Sequence, residues 1–258
     1  MITSVVISKR TRLLFVLVLV ALVAAAGLRF VWPAGDASAV AGKKRLLPIY
    51  YVDTAEKKIA ISFDASWGAE FTPRILDILR EHEIKTTFFL TGFWIEKYPD
   101  MVKKIVAEGH ELGNHTWTHP HLNTLEKESI KNELERVHAA LTDLSGTEPK
   151  LFRPPFGEYS DKVIEAADEL GYQTIQWSVD SLDWKDLSEQ TIIERVNEKM
   201  HPGAIVLFHN NGRYTADALP EIIAYAKENG YEIVRISELL YQDNFYIDSS
   251  DGAQRRKN

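Results

Sequence analysis

The sequence predicts an α/β protein: a distorted (β/α) barrel of about seven β/α units, preceded by an N-terminal hydrophobic signal or anchor helix. Three observations lead there. Short, apolar, β-branched runs alternate with segments whose apolar residues recur at helical spacing, from Lys57 to about Tyr241. None of these runs is followed by a Gly-rich dinucleotide turn, which argues against an open nucleotide-binding sheet. Polar residues with chemistry in their side chains stand directly after the runs, where barrels of this kind carry their sites.

Ile59 to Phe63 reads as a buried parallel strand, followed by a helix marked by Ile75, Leu76, Ile78 and Leu79. Thr86 to Leu90 is a strand and Met101 to Ala107 a helix; a short strand then ends near His115. A polar helix runs from about Glu126 to Leu144, and Leu151-Phe152 leads to a helix around Val163 to Leu170. Gln173 to Val179 reads as one strand, Thr191 to Lys199 as a helix and Ala204 to Phe208 as a buried strand. A helix over Leu219 to Lys227, a strand over Glu232 to Arg235 and a short helix close the body.

Ahead of this body, Lys9, Arg10 and Arg12 precede an uncharged apolar stretch from Leu13 to Leu28. A basic start followed by an apolar run reads as a signal segment that leaves the rest of the chain outside the cytoplasm. Ala37-Ser38-Ala39 resembles a cleavage site, whereas the continuation through Phe30, Val31 and Trp32 favours an uncleaved membrane anchor over residues 13–32. The expected organisation is a signal peptide or anchor with linker over 1–42 and a connecting segment over 43–56. The catalytic domain then covers 57–241, and 242–258 is a polar, disordered tail.

Composition removes several function classes. The net charge is −7 with no basic block in the body, so nucleic acid is not an expected partner. The absence of cysteine excludes disulfides, thiolate metal sites and Cys nucleophiles.

His115-Thr116-Trp117-Thr118-His119 is the metal candidate, because imidazoles four residues apart can meet one ion. Thr116 stands where a zincin has its Glu, so a base must come from elsewhere; Asp64, after the first strand, is the obvious carboxylate. His121 is a weaker ligand candidate, and His82, His138 and His201 read as ordinary histidines. Arg153-Pro154-Pro155-Phe156-Gly157 is a stiff turn in which Arg153 either makes a surface ion pair or holds a carboxylate ionised. Asp180-Ser181-Leu182-Asp183-Trp184 joins carboxylates to an aromatic suited to a sugar-binding wall, or forms a helix N-cap. Leu207-Phe208-His209 puts a histidine at a strand end, with Asp183 as a partner able to raise its pKa for acid work.

In this order the segments resemble the polysaccharide deacetylases of carbohydrate esterase family 4, the NodB-homology fold, over about residues 57–241. That family shows Thr-Phe-Asp-Asp-Gly, His-Ser/Thr-x-x-His, Arg-x-Pro-Tyr, Asp-x-x-Asp-Trp and Leu-x-His. Ser62-Phe63-Asp64-Ala65-Ser66-Trp67-Gly68 is especially similar to its sporulation-associated branch. The resemblance implies a hydrolase that removes N-acetyl groups from an amino-sugar polymer such as peptidoglycan. It implies Asp64 as base oriented by Arg153, and His115 and His119 as ligands of a divalent metal, usually Zn2+. It further implies the Phe156 N–H as an oxyanion donor, His209 as acid tuned by Asp183, and Trp184 with Leu207 as walls of the acetyl pocket.

One position departs. The family's second aspartate, a metal ligand, is Ala65 here. Asp64 could turn to ligate, Glu70 or Asp53 could supply a third ligand, or no metal could be kept. Ala65 therefore keeps a second reading open, a glycan-binding or morphogenetic protein on a decayed deacetylase scaffold. A glycosidase using Asp64 and Asp183 is the third.

Overall fold

The computed structural model describes residues 45–257. The N-terminal signal or anchor segment expected from the sequence lies outside them. No helix of the described residues is long and apolar enough to cross a membrane.

The body is a curled parallel sheet wrapped by helices. Its strands are β2 (Lys58–Ala65), β3 (Thr87–Leu90), β4 (Glu111–Asn114), β5 (Leu151–Phe152), β6 (Gln173–Thr174), β7 (Val179–Asp180), β8 (Ile205–His209) and β9 (Glu232–Val234). They run in the order β6-β5-β4-β3-β2-β8-β7, with β9 beside the start of β2. Every pairing in this sheet is parallel. The helices around it are α1 (Thr72–Glu81), α2 (Gly92–Lys97), α3 (Pro99–Ala107), α4 (Lys127–Ser145), α5 (Asp161–Glu169), α6 (Glu189–Lys199), α7 (Thr215–Glu228) and α8 (Ile236–Leu239).

The alternation of side chains along β2 explains the two layers. Ile59, Ile61, Phe63 and Ala65 pack outward with Ile75, Leu76, Ile192 and Leu219 of the helices. Ala60 packs inward with Phe89, Leu151, Ile175 and Ile205. Both faces of the strand are buried, which is why it reads as a nearly unbroken apolar run.

The sequence expectation differs from the structure in three places. Gln173 to Val179 is two strands, because residues 175–178 cross the mouth of the sheet. Ile175 N donates to Phe152 O of β5, whereas Ser178 N donates to Ile205 O of β8. The connecting segment helps span that gap, with Ile49 N bonded to Thr174 O and Gln176 N to Ile49 O. The segment Gly92–Lys97, not assigned from the sequence, is α2.

The polar tail, expected to be disordered, is instead a hairpin of β10 (Phe245–Ile247) and β11 (Ala253–Arg256), and β11 pairs in parallel with β1 (Tyr51–Val52). Its polar residues are spent on specific partners. Gln254 is fully buried and its side chain bonds both the N–H and the C=O of Tyr241. Arg255 is ion-paired to Asp53, Asp248 and Asp251.

Candidate active site

The strand ends converge on one cavity of about 470 Å3, lined by Asp64, His115, His119, Phe156, Trp184, Leu207 and His209 among others. Asp183 and Arg153 stand behind this lining, fully buried.

Asp64 and His209 are direct register partners on adjacent strands β2 and β8. Asp64 Oδ1 accepts from Arg153 Nη1 at 2.7 Å, and Arg153 Nη2 donates to Ser62 Oγ at 2.9 Å. The guanidinium also lies 4.1 Å over the Phe89 ring. Burial pushes the Asp64 pKa up, but Arg153, His115 and His209 together outweigh it, so the carboxyl is held below its ordinary value. The surface ion pair considered for Arg153 is thus replaced by a buried one.

Behind His209, Asp183 is saturated. Its Oδ1 lies 2.7 Å from His209 Nδ1, and its Oδ2 accepts from His209 N at 2.8 Å and from Thr215 Oγ1 at 2.6 Å. Gly212 is required here, because a Cβ on it would come within 2.7 Å of Asp183 Oδ2. Burial opposes charge on His209, yet the bond to Asp183 and the charges of Asp183, Asp64 and Asp180 prevail and raise its pKa. Nδ1 is engaged, which leaves Nε2 as the nitrogen available to a substrate. With both oxygens of Asp183 occupied and its side chain fully buried, it cannot be the partner acid of a glycosidase.

The histidine loop follows β4. His115 Nδ1 lies 2.7 Å from Arg153 O, a carbonyl that only accepts, so Nδ1 carries the proton and Nε2 keeps its lone pair. That Nε2 is 3.5 Å from Asp64 Oδ2. His119 packs edge-on to His115 at 4.9 Å between ring centroids, and its Nδ1 is buried without a hydrogen-bond partner. Burial first, then His115, pushes its pKa down to about 3.

Thr116 and His119 adopt left-handed φ values of 68° and 55°, which cost non-glycine residues energy unless the surroundings impose them. Asn114 supplies the constraint: its Oδ1 accepts from Thr116 N, and its Nδ2 donates to Leu134 O and to Tyr172 OH.

Neutral imidazoles with one lone pair free and one orphaned nitrogen fit a divalent ion as two ligands. The third position does not match the family pattern. Ala65 is fully buried in the outer apolar layer. Asp53 is paired with Arg255, and neither Asp53 nor Glu70 lines the cavity. His121 is exposed and bonded to Glu158. Among the described residues no group of three or more His, Cys, Asp or Glu side chains could hold a metal. Asp64 Oδ2 is the nearby carboxylate oxygen that remains.

Phe156 occupies a left-handed turn residue at φ 59°. Sequence reasoning met Ser62 and Trp67 only as parts of a motif, and missed Thr215, Asn114, Tyr172 and Trp177; Ser62 holds Arg153 and Thr215 holds Asp183. No local sequence pattern announced the partners of Asp183.

A family model described as polysaccharide deacetylase matches residues 51–175. The chain is 38% identical over 187 residues to a peptidoglycan-N-acetylglucosamine deacetylase of Bacillus cereus, covering 71% of this chain and 68% of that protein. It is 35% identical over 204 residues to the peptidoglycan-N-acetylmuramic acid deacetylase PdaA of Bacillus subtilis, covering 78% of each. The solved structure of PdaA, described as a family 4 carbohydrate esterase, is similar at 35% identity and a TM-score of 0.71, over 74% of this chain and 84% of that one. A wild-type Bacillus anthracis protein described as a CE4 family pseudoenzyme is similar at 38% identity and TM-score 0.73, over 75% of this chain and 68% of that one. A mutant described as a CE4 family pseudoenzyme with restored enzymatic activity is similar at 39% identity and the same TM-score, over 75% of this chain and 71% of that one. On its sequence, its fold and the order of its strand-end residues, the chain belongs to the polysaccharide deacetylase family.

Proposed function

We propose that the chain hydrolyses N-acetyl groups of an amino-sugar polymer of the cell wall, most directly peptidoglycan, and works outside the cytoplasm. The carrying observation is the pairing of Asp64 with His209 across β2 and β8, with pKa values displaced in opposite directions. A carboxylate held ionised beside an imidazole that keeps its proton can serve as base and acid at one site. The names of the relatives and the basic-then-apolar N-terminus support the polymer and the compartment.

Amide hydrolysis needs a deprotonated water, a stabilised oxyanion and a proton for a poor leaving group. Asp64, ionised and oriented by Arg153, takes the proton from the attacking water. His209 gives its Nε2 proton to the departing amine, while Asp183 holds the ring in orientation and keeps it charged. The Phe156 N–H donates to the developing oxyanion, and Trp184 and Leu207 flank the acetyl group. Zn2+ or another divalent ion held by His115 and His119 would supply Lewis-acid polarisation of the acyl oxygen.

A second reading is favoured by Ala65 and by the similarity to a structure described as a pseudoenzyme: a glycan-binding protein on a deacetylase scaffold. Acetate release from N-acetylglucosamine oligomers and from peptidoglycan, with metal analysis of the purified protein, separates the two. The hydrolase releases acetate and loses this activity to a strong chelator. Glycan binding with neither metal nor acetate would establish the scaffold reading.

A further inference from the structure

Among the described residues the exposed large hydrophobic side chains are Trp67, Phe156, Trp184 and Tyr246. The first three line the active-site cavity. Phe156 and Trp184 already have roles in the proposed reaction. Trp67 has none, although its side chain is 55% exposed, and apolar surface left in water is unfavourable.

The indole is held in place. It packs edge-on to His119 at 4.9 Å and tilted against Phe93 at 6.1 Å. The next residue, Gly68, turns the chain at φ 61°, and its carbonyl accepts from Trp94 Nε1 at 2.6 Å and from Asn210 Nδ2 at 2.9 Å. The turn carrying Trp67 is thereby tied to α2 and to the end of β8. An aromatic ring kept exposed by rigid supports binds with little further loss of conformational entropy.

The cavity, about 470 Å3, lies toward the small end of ligand sites, so a polymer has to cross its rim. A pyranose ring offers C–H groups on its face and hydroxyls at its edge. Trp67 answers the face, and Ser66 and Asn211, which also line the cavity, offer polar groups for the edge.

We infer that Trp67 is a binding platform for a second sugar ring of the same chain, adjoining the one whose N-acetyl group enters the cavity. The ligand of this site is then an oligosaccharide rather than a free amino sugar. The inference rests on the polymer class proposed above and not on the chemistry of acetyl removal.

Calorimetric titration with N-acetylglucosamine and with its β-1,4-linked tetrasaccharide, on wild type, Trp67→Ala and Trp67→Phe, tests it, with acetate release measured in parallel. The ratio of tetrasaccharide to monosaccharide affinity should fall about tenfold in Trp67→Ala and return to within about threefold of wild type in Trp67→Phe. An unchanged ratio in Trp67→Ala would overturn the platform, whether both affinities are retained or both fall together. So would a wild type that binds the tetrasaccharide no better than the monosaccharide. If wild type binds the tetrasaccharide tightly, loses that preference in Trp67→Ala and releases no acetate, the hydrolase reading fails and the platform stands.

Discussion

On the β2–β8 side of the cavity, Asp64 is bonded to Arg153 and His209 to Asp183 at 2.7–2.8 Å, with Ser62 and Thr215 occupying further positions on Arg153 and Asp183. On the β4 side, His115 and His119 face Asp64 with one imidazole nitrogen orphaned and an alanine where the family carries a carboxylate. In the proposed reaction the first side would handle protons and has every side chain that work needs, whereas the second would hold the metal and is one donor short of the family pattern. The two halves depend on different resources. Acid–base work rests on several buried bonds that support each other, whereas a metal site of few ligands loses much of its affinity with one side chain. A buried Asp–Arg pair is itself expensive to desolvate and is weak evidence for stability.

The comparison can be broken most forcefully at His209. His209→Ala should lower kcat for acetate release by about 10²–10⁴-fold with the fold intact by circular dichroism, as expected for loss of a general acid. A loss below threefold would mean that the furnished half is not the working half. The next largest effect is on the short half. His119→Ala should weaken Zn2+ binding by about tenfold or more, read by competition with a chromophoric chelator. Unchanged affinity would show that the imidazole pair is not the metal-holding part of the site, and the contrast between the halves would disappear.

The smallest effect concerns a buried histidine away from both halves. His110 accepts from Thr86 N, and its pKa is pushed down to about 4 by burial and, less, by Lys85. Its neutral form contributes stability above the unfolded histidine value of 6.5, and the contribution is lost as pH falls through 4. His110→Asn should therefore flatten the acid fall of unfolding free energy over that window by on the order of 1–3 kcal/mol. An equal slope in both proteins would remove His110 as its source.

The strands were legible because strands buried on both faces are contiguous apolar runs, and the residues gathered around the cavity were legible because they follow those runs. What escaped was decided at long range. The break between β6 and β7 depends on Ile49 and Ile205, which no local pattern near Gln173 announces. The tail looked too polar to fold, yet Gln254 and Arg255 find partners 13 and 202 residues away. Ser62 was visible as a strand residue, but its bond to Arg153 spans 91 positions. Trp67 was read within a motif and not as exposed surface, because exposure follows from what surrounds a turn.

The central claim is that Asp64 ionised and His209 protonated form the working pair. The pH dependence of kcat/KM for acetate release, compared between wild type and Asp183→Asn, tests it most directly. The account predicts a bell. Activity falls on the acid side through the lowered pKa of Asp64, below the ordinary 3.8, and on the alkaline side through the raised pKa of His209, above 6.5. Asp183→Asn removes the charge that raises the His209 value, so its alkaline limb should move to lower pH while the acid limb stays. An alkaline limb unmoved by that substitution would contradict the account.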